Sequence, residues 1–269
     1  MRLCWLRFNL HFLLTLALVM AIVGVGWGAW PMLPGSAVAI LLALLLADAI
    51  ARPSCALLYP TVVHGPRDSG AVALSFDDGP DPLVTPQVLD ALAACGARAT
   101  FFVIGRSLAK HPGLARRMVA EGHALGNHSW QHSRLQNFRF RRWHREEIAR
   151  CEKAIAAVAG EDRFRLYRPP VGLKIGELCR ELWHQRLTLV AWSLHSRDTR
   201  AASPQQIAER VLARVRGGDI VLLHDGHDRP GKRRPLCADA VPLILQGLQR
   251  KRLECVTIPE LLPGTLQRT

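Results

Sequence analysis

His128 and His132 stand four residues apart in the run His128-Ser129-Trp130-Gln131-His132. On a helical turn that spacing puts both imidazoles on one face, where they can converge on one ion. Alone the pair says little, because the chain holds 11 histidines and such spacings arise by chance. A second run adds weight: Ser75-Phe76-Asp77-Asp78-Gly79-Pro80 closes a strand-like segment with two adjacent carboxylates before a turn dipeptide. One carboxylate can complete a two-histidine, one-carboxylate ligand set with positions open to water and substrate. The other, bound to no metal, is then free to take a proton from the attacking water. The competing reading is an ordinary Asp-Gly-Pro turn with Asp77 as a helix cap.

Two further runs carry chemistry. Arg168-Pro169-Pro170-Val171-Gly172 puts a guanidinium before a stiff, non-helical turn, where its fork could hold a carboxylate such as Asp77 bidentately. The segment from Gly218 to Gly226 reads as a buried strand ending in His224, placed to protonate a leaving amine. Taken singly, the first is usually only a loop and the second a core histidine.

The elements that must position these residues alternate in type. Strands are expected at Val72–Phe76, Thr100–Ile104, Ala124–Asn127, Leu166–Arg168, Thr188–Ser193, Ile220–His224 and Cys255–Ile258. Amphipathic helices are expected at Pro86–Ala94, Gly113–Glu121, Glu146–Ala159, Gly176–His184, Pro204–Val215 and Ala238–Gln249. Strands alternating with helices of this length argue for βαβ units and a parallel sheet, either doubly wound or closed as a (β/α) barrel. Asp77, Asp78, His128, His132, Arg168, Asp198 and His224 all fall at or just beyond strand C-terminal ends. That is the face on which barrels and open α/β sheets build their sites.

Four modest signals in order at four strand ends make a pattern, and the chain resembles the polysaccharide deacetylase family, carbohydrate esterases related to the nodulation chitooligosaccharide deacetylase. The resemblance covers about Ala71 to Ile258 and rests on SFDDGP, HSWQH and RPPVG, with Leu222-Leu223-His224 as the last motif. It implies a distorted (β/α) barrel of about seven parallel strands and a hydrolase of a linear amide, removing an N-acyl group, acetyl above all, from an amino sugar. It implies that Asp77 is the general base, that Asp78, His128 and His132 hold a divalent metal, usually zinc, that Arg168 orients Asp77, and that His224 is the general acid tuned by Asp198. Pro169, Pro170, Trp192 and Leu222 would line the substrate site. The oxyanion would be stabilised by the metal and a backbone N–H, each such donor worth about 2.7–4 kcal/mol of barrier. One motif departs: where the family has Asp-x-x-Asp-Trp, this chain reads His195-Ser196-Arg197-Asp198-Thr199. His195 replaces the first Asp and Thr199 the Trp that helps line the sugar groove, which puts a polymeric substrate in doubt more than the chemistry.

The N-terminal part is of another kind. Leu10 to Trp30 runs without a charge, about the length that crosses ~30 Å of hydrocarbon as a helix. It is longer than a signal-peptide core and lacks a small-x-small cleavage site, so an uncleaved anchor is the preferred reading. A second apolar run, Ser36 to Ala51, is shorter and carries Asp48. We therefore expect residues 1–58 to be a membrane anchor of one or two transmembrane segments and residues 59–269 the catalytic domain. With Arg2 and Arg7 before the first run and Arg52 after the second, the positive-inside rule favours a hairpin in the inner membrane with the domain cytoplasmic. If the second run does not span, the same arginines send the domain to the outer face.

Net charge is +13, with a pI near 10.3. Arg2, Arg7 and Arg52 against Asp48 give the first 58 residues +2, which leaves +11 on the rest. Such a surface favours anionic partners. No nucleic-acid-binding motif accompanies it, so nucleic acid is not an expected partner. Two basic stretches, Arg134 to Arg145 with interleaved Phe138, Phe140 and Trp143, and Arg229 to Arg234, suit a surface of acidic head groups and acyl chains. The seven cysteines are scattered, with no C-x-x-C, and fit neither a disulfide framework nor a thiolate metal site. The alternatives to an amino-sugar deacetylase are a deformylase of a lipid-linked amino sugar and a non-catalytic saccharide-binding membrane protein.

Overall fold

The computed structural model describes residues 33–174, 176–228, 235–264 and 266. The chain divides after Ala51 into an N-terminal unit and a larger one, Arg52–Thr269. In the first unit the second apolar run forms helix α1 (Leu33–Ala51). Among the described residues no helix is long and apolar enough to cross a membrane, so the second span of the expected hairpin is not found. The first apolar run, Leu10 to Trp30, lies outside the described residues, as does the basic stretch Arg229 to Arg234.

The larger unit holds nine strands: β1 (Thr61–Val62), β2 (Ala71–Asp77), β3 (Thr100–Val103), β4 (Ala124–Asn127), β5 (Leu166–Tyr167), β6 (Thr188–Val190), β7 (Leu194–His195), β8 (Ile220–His224) and β9 (Glu254–Cys255). Their order is β1-β6-β5-β4-β3-β2-β8-β7, with β9 added to the start of β2, and every strand ladder is parallel. Strands β6 and β7 sit near opposite ends of that order, six strand spacings apart. A flat sheet would separate them by roughly 29 Å at ~4.8 Å per strand. The chain from Val190 to Leu194 spans at most about 14 Å, so the sheet must curl strongly. Two single backbone bonds extend the ladders on either side of that connection, from the N–H of Ala191 to the carbonyl of Val62 beside β1 and from the N–H of Ser193 to the carbonyl of Ile220 beside β8. The result is a distorted half-barrel of parallel strands, its seam between β1 and β7 bridged by the chain from Val190 to Leu194 and, among the described residues, by no ladder.

Alternation along the strands separates two interiors. Val72, Leu74 and Phe76 of β2 and Val221 and Leu223 of β8 face outward into the larger core. There they pack on helices α2 (Val84–Ala94), α7 (Pro204–Leu212) and α8 (Pro235–Arg250) through Val88, Leu92, Ile207, Val211, Val241 and Ile244. Each such buried aliphatic or aromatic side chain is worth roughly 1.5–3 kcal/mol of transfer free energy. Ala73 and Ile220 face inward, into a small apolar floor completed by Phe102, Leu166 and Val190. Two residues further along the same faces come Ser75 and Leu222, then Asp77 and His224, which are register partners at the barrel rim. One face of each strand thus builds the floor and the site together.

Several boundaries differ from expectation for local reasons. The last strand stops at Cys255 because Thr257 caps a short helix, α9 (Ile258–Leu261): its hydroxyl accepts from the Glu260 N–H while the Glu260 carboxylate accepts from the Thr257 N–H. Helix α5 (Arg141–Ala159) begins at Arg141 rather than Glu146, because arginine is a good helix former and His144 turns inward. The expected strand Thr188–Ser193 breaks at Val190, where the chain crosses the seam, and β1, β7 and the short helix α3 (Gly105–Lys110) were not expected. A further helix, α4 (Pro112–Ala120), precedes β4, and α6 (Gly176–His184) precedes β6.

Candidate active site

Asp77 is the last residue of β2 and points into the barrel rim, 4% exposed. Arg168, the residue after β5, reaches it across the barrel: Nη1 donates to Asp77 Oδ1 at 2.7 Å and to Ser75 Oγ at 2.9 Å. Nε and Nη2 donate to the carbonyls of Val190 and Ala191, and the guanidinium lies over the Phe102 ring at 3.9 Å. The expected bidentate fork is therefore not formed, since the remaining donors go to the hydroxyl and to the strand end at the seam. Only Oδ1 is occupied by Arg168, and Oδ2 faces His128 Nε2 at 3.7 Å. Arg168 has no exposure at all; burial lowers its pKa and the Asp77 charge opposes the fall. Ser75, given no role of its own in the sequence analysis, donates its hydroxyl hydrogen bond to the Val221 carbonyl and fixes the floor of this network.

Asp78, His128 and His132 come together as three buried residues whose ligand atoms all lie within 4.8 Å of one another. Asp78 Oδ1 is 3.3 Å from His132 Nε2 and 3.6 Å from His128 Nε2, so one ion fits between them. Asp78 reaches this position through a left-handed backbone, φ 74°. The two histidines do not lie on a helical turn: residues 128–132 form a loop after β4, with Ser129 and His132 at positive φ. Convergence comes from the loop's anchors instead. Asn127 accepts from the Ser129 N–H, Ser129 Oγ from the His132 N–H, and Glu147 from the Gln131 N–H. The rings end 4.8 Å apart.

The donor set suits a divalent ion. His128 Nδ1 faces the Arg168 carbonyl at 2.7 Å, which assigns the proton to Nδ1 and leaves the Nε2 lone pair towards the centre. Burial, followed by the neighbouring His132, pushes the His128 pKa down to about 3, so the imidazole is neutral and able to ligate. Behind His132 stands Asp228, 3.8 Å from its Nδ1 and itself held by Arg134 at 2.6 Å. Burial would raise the Asp228 pKa, but the Arg134 hydrogen bond and the nearby charges bring it below the usual carboxylate value. The sequence reading missed Asp228; its place four residues beyond His224 was the available signal.

His224 ends β8 opposite Asp77. Its Nδ1 lies 2.9 and 3.2 Å from the two oxygens of Asp198, which also accepts its backbone N–H at 2.8 Å. Burial by itself would lower the His224 pKa, but the charge and hydrogen bond of Asp198 outweigh it and the value is raised. Asp198 opens a 3-10 turn after β7 and is fixed by the Ser196 hydroxyl. Pro169 and Pro170 are buried in the turn after Arg168, Trp192 is half-buried beside the guanidinium, and Leu222 is buried one strand step below His224. His195 stands between Trp192, 5.9 Å away, and His224, 6.4 Å away by ring centroids. Asp225, next to His224, is fully buried; burial lifts its pKa to about 7, and it accepts from the Thr85 hydroxyl at 2.6 Å. A Cβ on Gly79 would meet that carboxylate at 2.3 Å, so only glycine fits there.

A parallel barrel with an Asp-His-His metal triad at its strand ends, flanked by Asp77–Arg168 and His224–Asp198, defines a metal-dependent hydrolase. Residues 64–186 match the family model "Polysaccharide deacetylase". The chain is 38% identical over 200 residues to a chitooligosaccharide deacetylase of Bradyrhizobium sp. (strain ANU 289), covering 71% of this chain and 90% of that one. It is 35% identical over 199 residues to a peptidoglycan-N-acetylglucosamine deacetylase of Bacillus cereus, covering 73% and 90%. Among solved structures, a peptidoglycan N-acetylglucosamine deacetylase superposes with a TM-score of 0.70 at 31% identity, over 75% of this chain and 92% of that one. A family 4 carbohydrate esterase from Streptomyces lividans in complex with acetate gives 0.61 at 33% identity, over 69% and 91%. The chain belongs to the polysaccharide deacetylase family and is a hydrolase of carbon–nitrogen amide bonds other than peptide bonds.

Proposed function

We propose that this protein removes the N-acetyl group of an amino sugar carried on a membrane-embedded, anionic acceptor such as a polyprenyl-phosphate sugar. The observation that carries the chemistry is the placement of Asp77 and His224 as register partners on neighbouring strands, beside the Asp78, His128 and His132 triad. Asp78, His128 and His132 would hold a divalent ion, zinc in our reading, which would supply Lewis-acid polarisation of the acyl carbonyl and of the attacking water. Arg168 holds Asp77 Oδ1, so Oδ2 takes the proton from that water. Asp198 keeps His224 protonated through Nδ1, leaving Nε2–H to protonate the departing amine, without which nitrogen is a very poor leaving group. Pro169, Pro170, Trp192 and Leu222 shape the pocket around the sugar.

Support for the acceptor comes from the rim beside the site. Leu135, Phe138 and Phe140 are 60%, 84% and 86% exposed, next to the exposed Arg139 and to Arg142, whose pair with Glu146 at 2.9 Å lies open to solvent. Aromatic and guanidinium side chains together suit a headgroup boundary, each cation near an acidic leaflet adding about 1 kcal/mol of attraction. Arg141 is not part of this rim, because it pairs with the buried Glu181 at 3.2 Å. By the positive-inside rule a hairpin anchor leaves the domain on the cytoplasmic side of the inner membrane, whereas a single span with Arg2 and Arg7 inside would send it to the outer face. Thiol-labelling of single-cysteine variants from either side of the membrane distinguishes the two.

The substrate test compares the full-length enzyme on chitooligosaccharides and on lipid-linked N-acetylated amino sugars in anionic and neutral vesicles. We expect preference for the lipid-linked sugar, strongest in anionic vesicles and reduced in Phe138→Ser, Phe140→Ser, Arg139→Gln, Arg142→Gln. Equal or better turnover of the soluble oligosaccharide, indifferent to vesicle charge and to these changes, refutes the acceptor. A formate product in place of acetate would make the enzyme a deformylase.

A further inference from the structure

Beside the acid end of the site lies a cavity of about 300 Å³ lined by His195, Arg197, Glu209, Arg210, Ala213 and Arg214. Three guanidiniums face one carboxylate there, a surplus of two positive charges. Arg210 belongs to α7, Arg214 follows that helix, and Arg197 sits in the loop after β7 with a left-handed backbone, φ 57°. The Arg197 N–H donates to His195 Nδ1 at 3.0 Å, which ties the cavity wall to the ring next to His224. Among the described residues the buried Nη1 of Arg210 has no hydrogen-bond partner. A buried guanidinium nitrogen left without an acceptor is costly, and a cluster of like charges costs more unless an anion joins it.

His195 stands on the wall of this cavity, a neutral or cationic group where a carboxylate would face the guanidiniums. An aspartate at 195 would add negative charge to this wall and repel an anion; histidine removes that repulsion. We propose that the cavity is a subsite for a phosphate substituent of the substrate, held by Arg197, Arg210 and Arg214 while the neighbouring acetamido group lies between Asp77 and His224. The His195 ring, 6.4 Å from His224, spans the step between the two. This assignment rests on the deacetylase reading and names the group by which the anionic acceptor is recognised. Guanidinium suits it because planar forks bind phosphate oxygens in pairs.

The test measures kcat/KM on three substrates: a neutral N-acetylated oligosaccharide, a soluble N-acetylated amino-sugar phosphate, and the same phosphate on a polyprenyl chain in neutral vesicles. In Arg210→Gln and Arg214→Gln, the ratio of soluble phosphorylated to neutral substrate is expected to fall about tenfold for each guanidinium removed. Arg210→Lys should recover part of it. Calorimetric titration of inorganic phosphate into the wild type and the double variant gives a second readout, with weaker binding expected in the variant. An unchanged ratio with unchanged phosphate affinity overturns the subsite. So does a loss confined to the vesicle-bound substrate, which would assign the arginines to the leaflet. If phosphate binding depends on the arginines but no substrate is deacetylated, the subsite stands and the deacetylase reading falls.

Discussion

Asp198→Asn isolates the acid half of the reaction. Asp198 places both oxygens within 3.2 Å of His224 Nδ1, and its charge and hydrogen bond raise a pKa that burial would otherwise lower. An adjacent opposite charge typically moves a pKa by about 1–3 units. Asparagine keeps the shape and one acceptor but removes the charge, so burial prevails and the His224 pKa falls by about that amount. The sign follows from the role: a general acid works while protonated, and activity is lost as pH rises through its folded pKa. The alkaline limb of kcat/KM should therefore move down by about 1–3 pH units in Asp198→Asn, with near-wild-type values retained at low pH. The same raised pKa stabilises the fold below the unfolded value of about 6.5, and that contribution is lost as pH rises through the folded value. Thermal melts from pH 5 to 9 should thus show the variant's deficit largest at acid pH and shrinking towards alkaline pH. The assay is acetate release from an N-acetylated oligosaccharide with saturating divalent ion. A uniform fall in kcat/KM at every pH, with the alkaline limb unmoved, would show that Asp198 only positions the ring.

Asp77→Asn should keep stoichiometric metal by elemental analysis and lose about 10²–10⁴-fold in kcat, the range for removing a general base. Loss of metal in Asp77→Asn together with its retention in Asp78→Asn would exchange the two roles. A chelator should abolish activity and a divalent ion restore it, His128→Ala and His132→Ala being beyond rescue; full turnover by metal-free protein sinks the mechanism. Arg168→Met leaves the buried Asp77 without its partner and should cost about 3–5 kcal/mol, read from denaturant midpoints. A loss below 1 kcal/mol would show that Ser75 and solvent replace the guanidinium.

Much of the site was legible because its residues follow strand ends, and strand ends can be read from alternation of apolar residues. Asp77, His128, Arg168 and His224 each directly close or follow such a run, and the chemistry of each side chain is local. The pairing of Asp77 with His224 was not legible, because it depends on β2 lying beside β8 across nearly the whole domain. The geometry of the histidine pair is not the helical turn that the spacing suggests, since Ser129 and His132 adopt positive φ while their N–H groups donate to Asn127 and Ser129, which spacing cannot reveal.

The single bond between Arg168 and Asp77 was likewise decided by tertiary contacts: Val190 and Ala191, brought in by the seam of the barrel, take the other donors. Asp228 comes behind His132 only when loops almost a hundred residues apart meet at the rim, whereas the arginine cavity is built by the β7 loop folding against the nearby helix α7. The amino-acid sequence by itself determined which chemical groups the protein owns and that alternating strands and helices would bring them to one face. Which oxygen is held, which stays open and which charges surround them depend on long-range packing, because distances of a few ångströms are set by strand order and curvature rather than by neighbours along the chain.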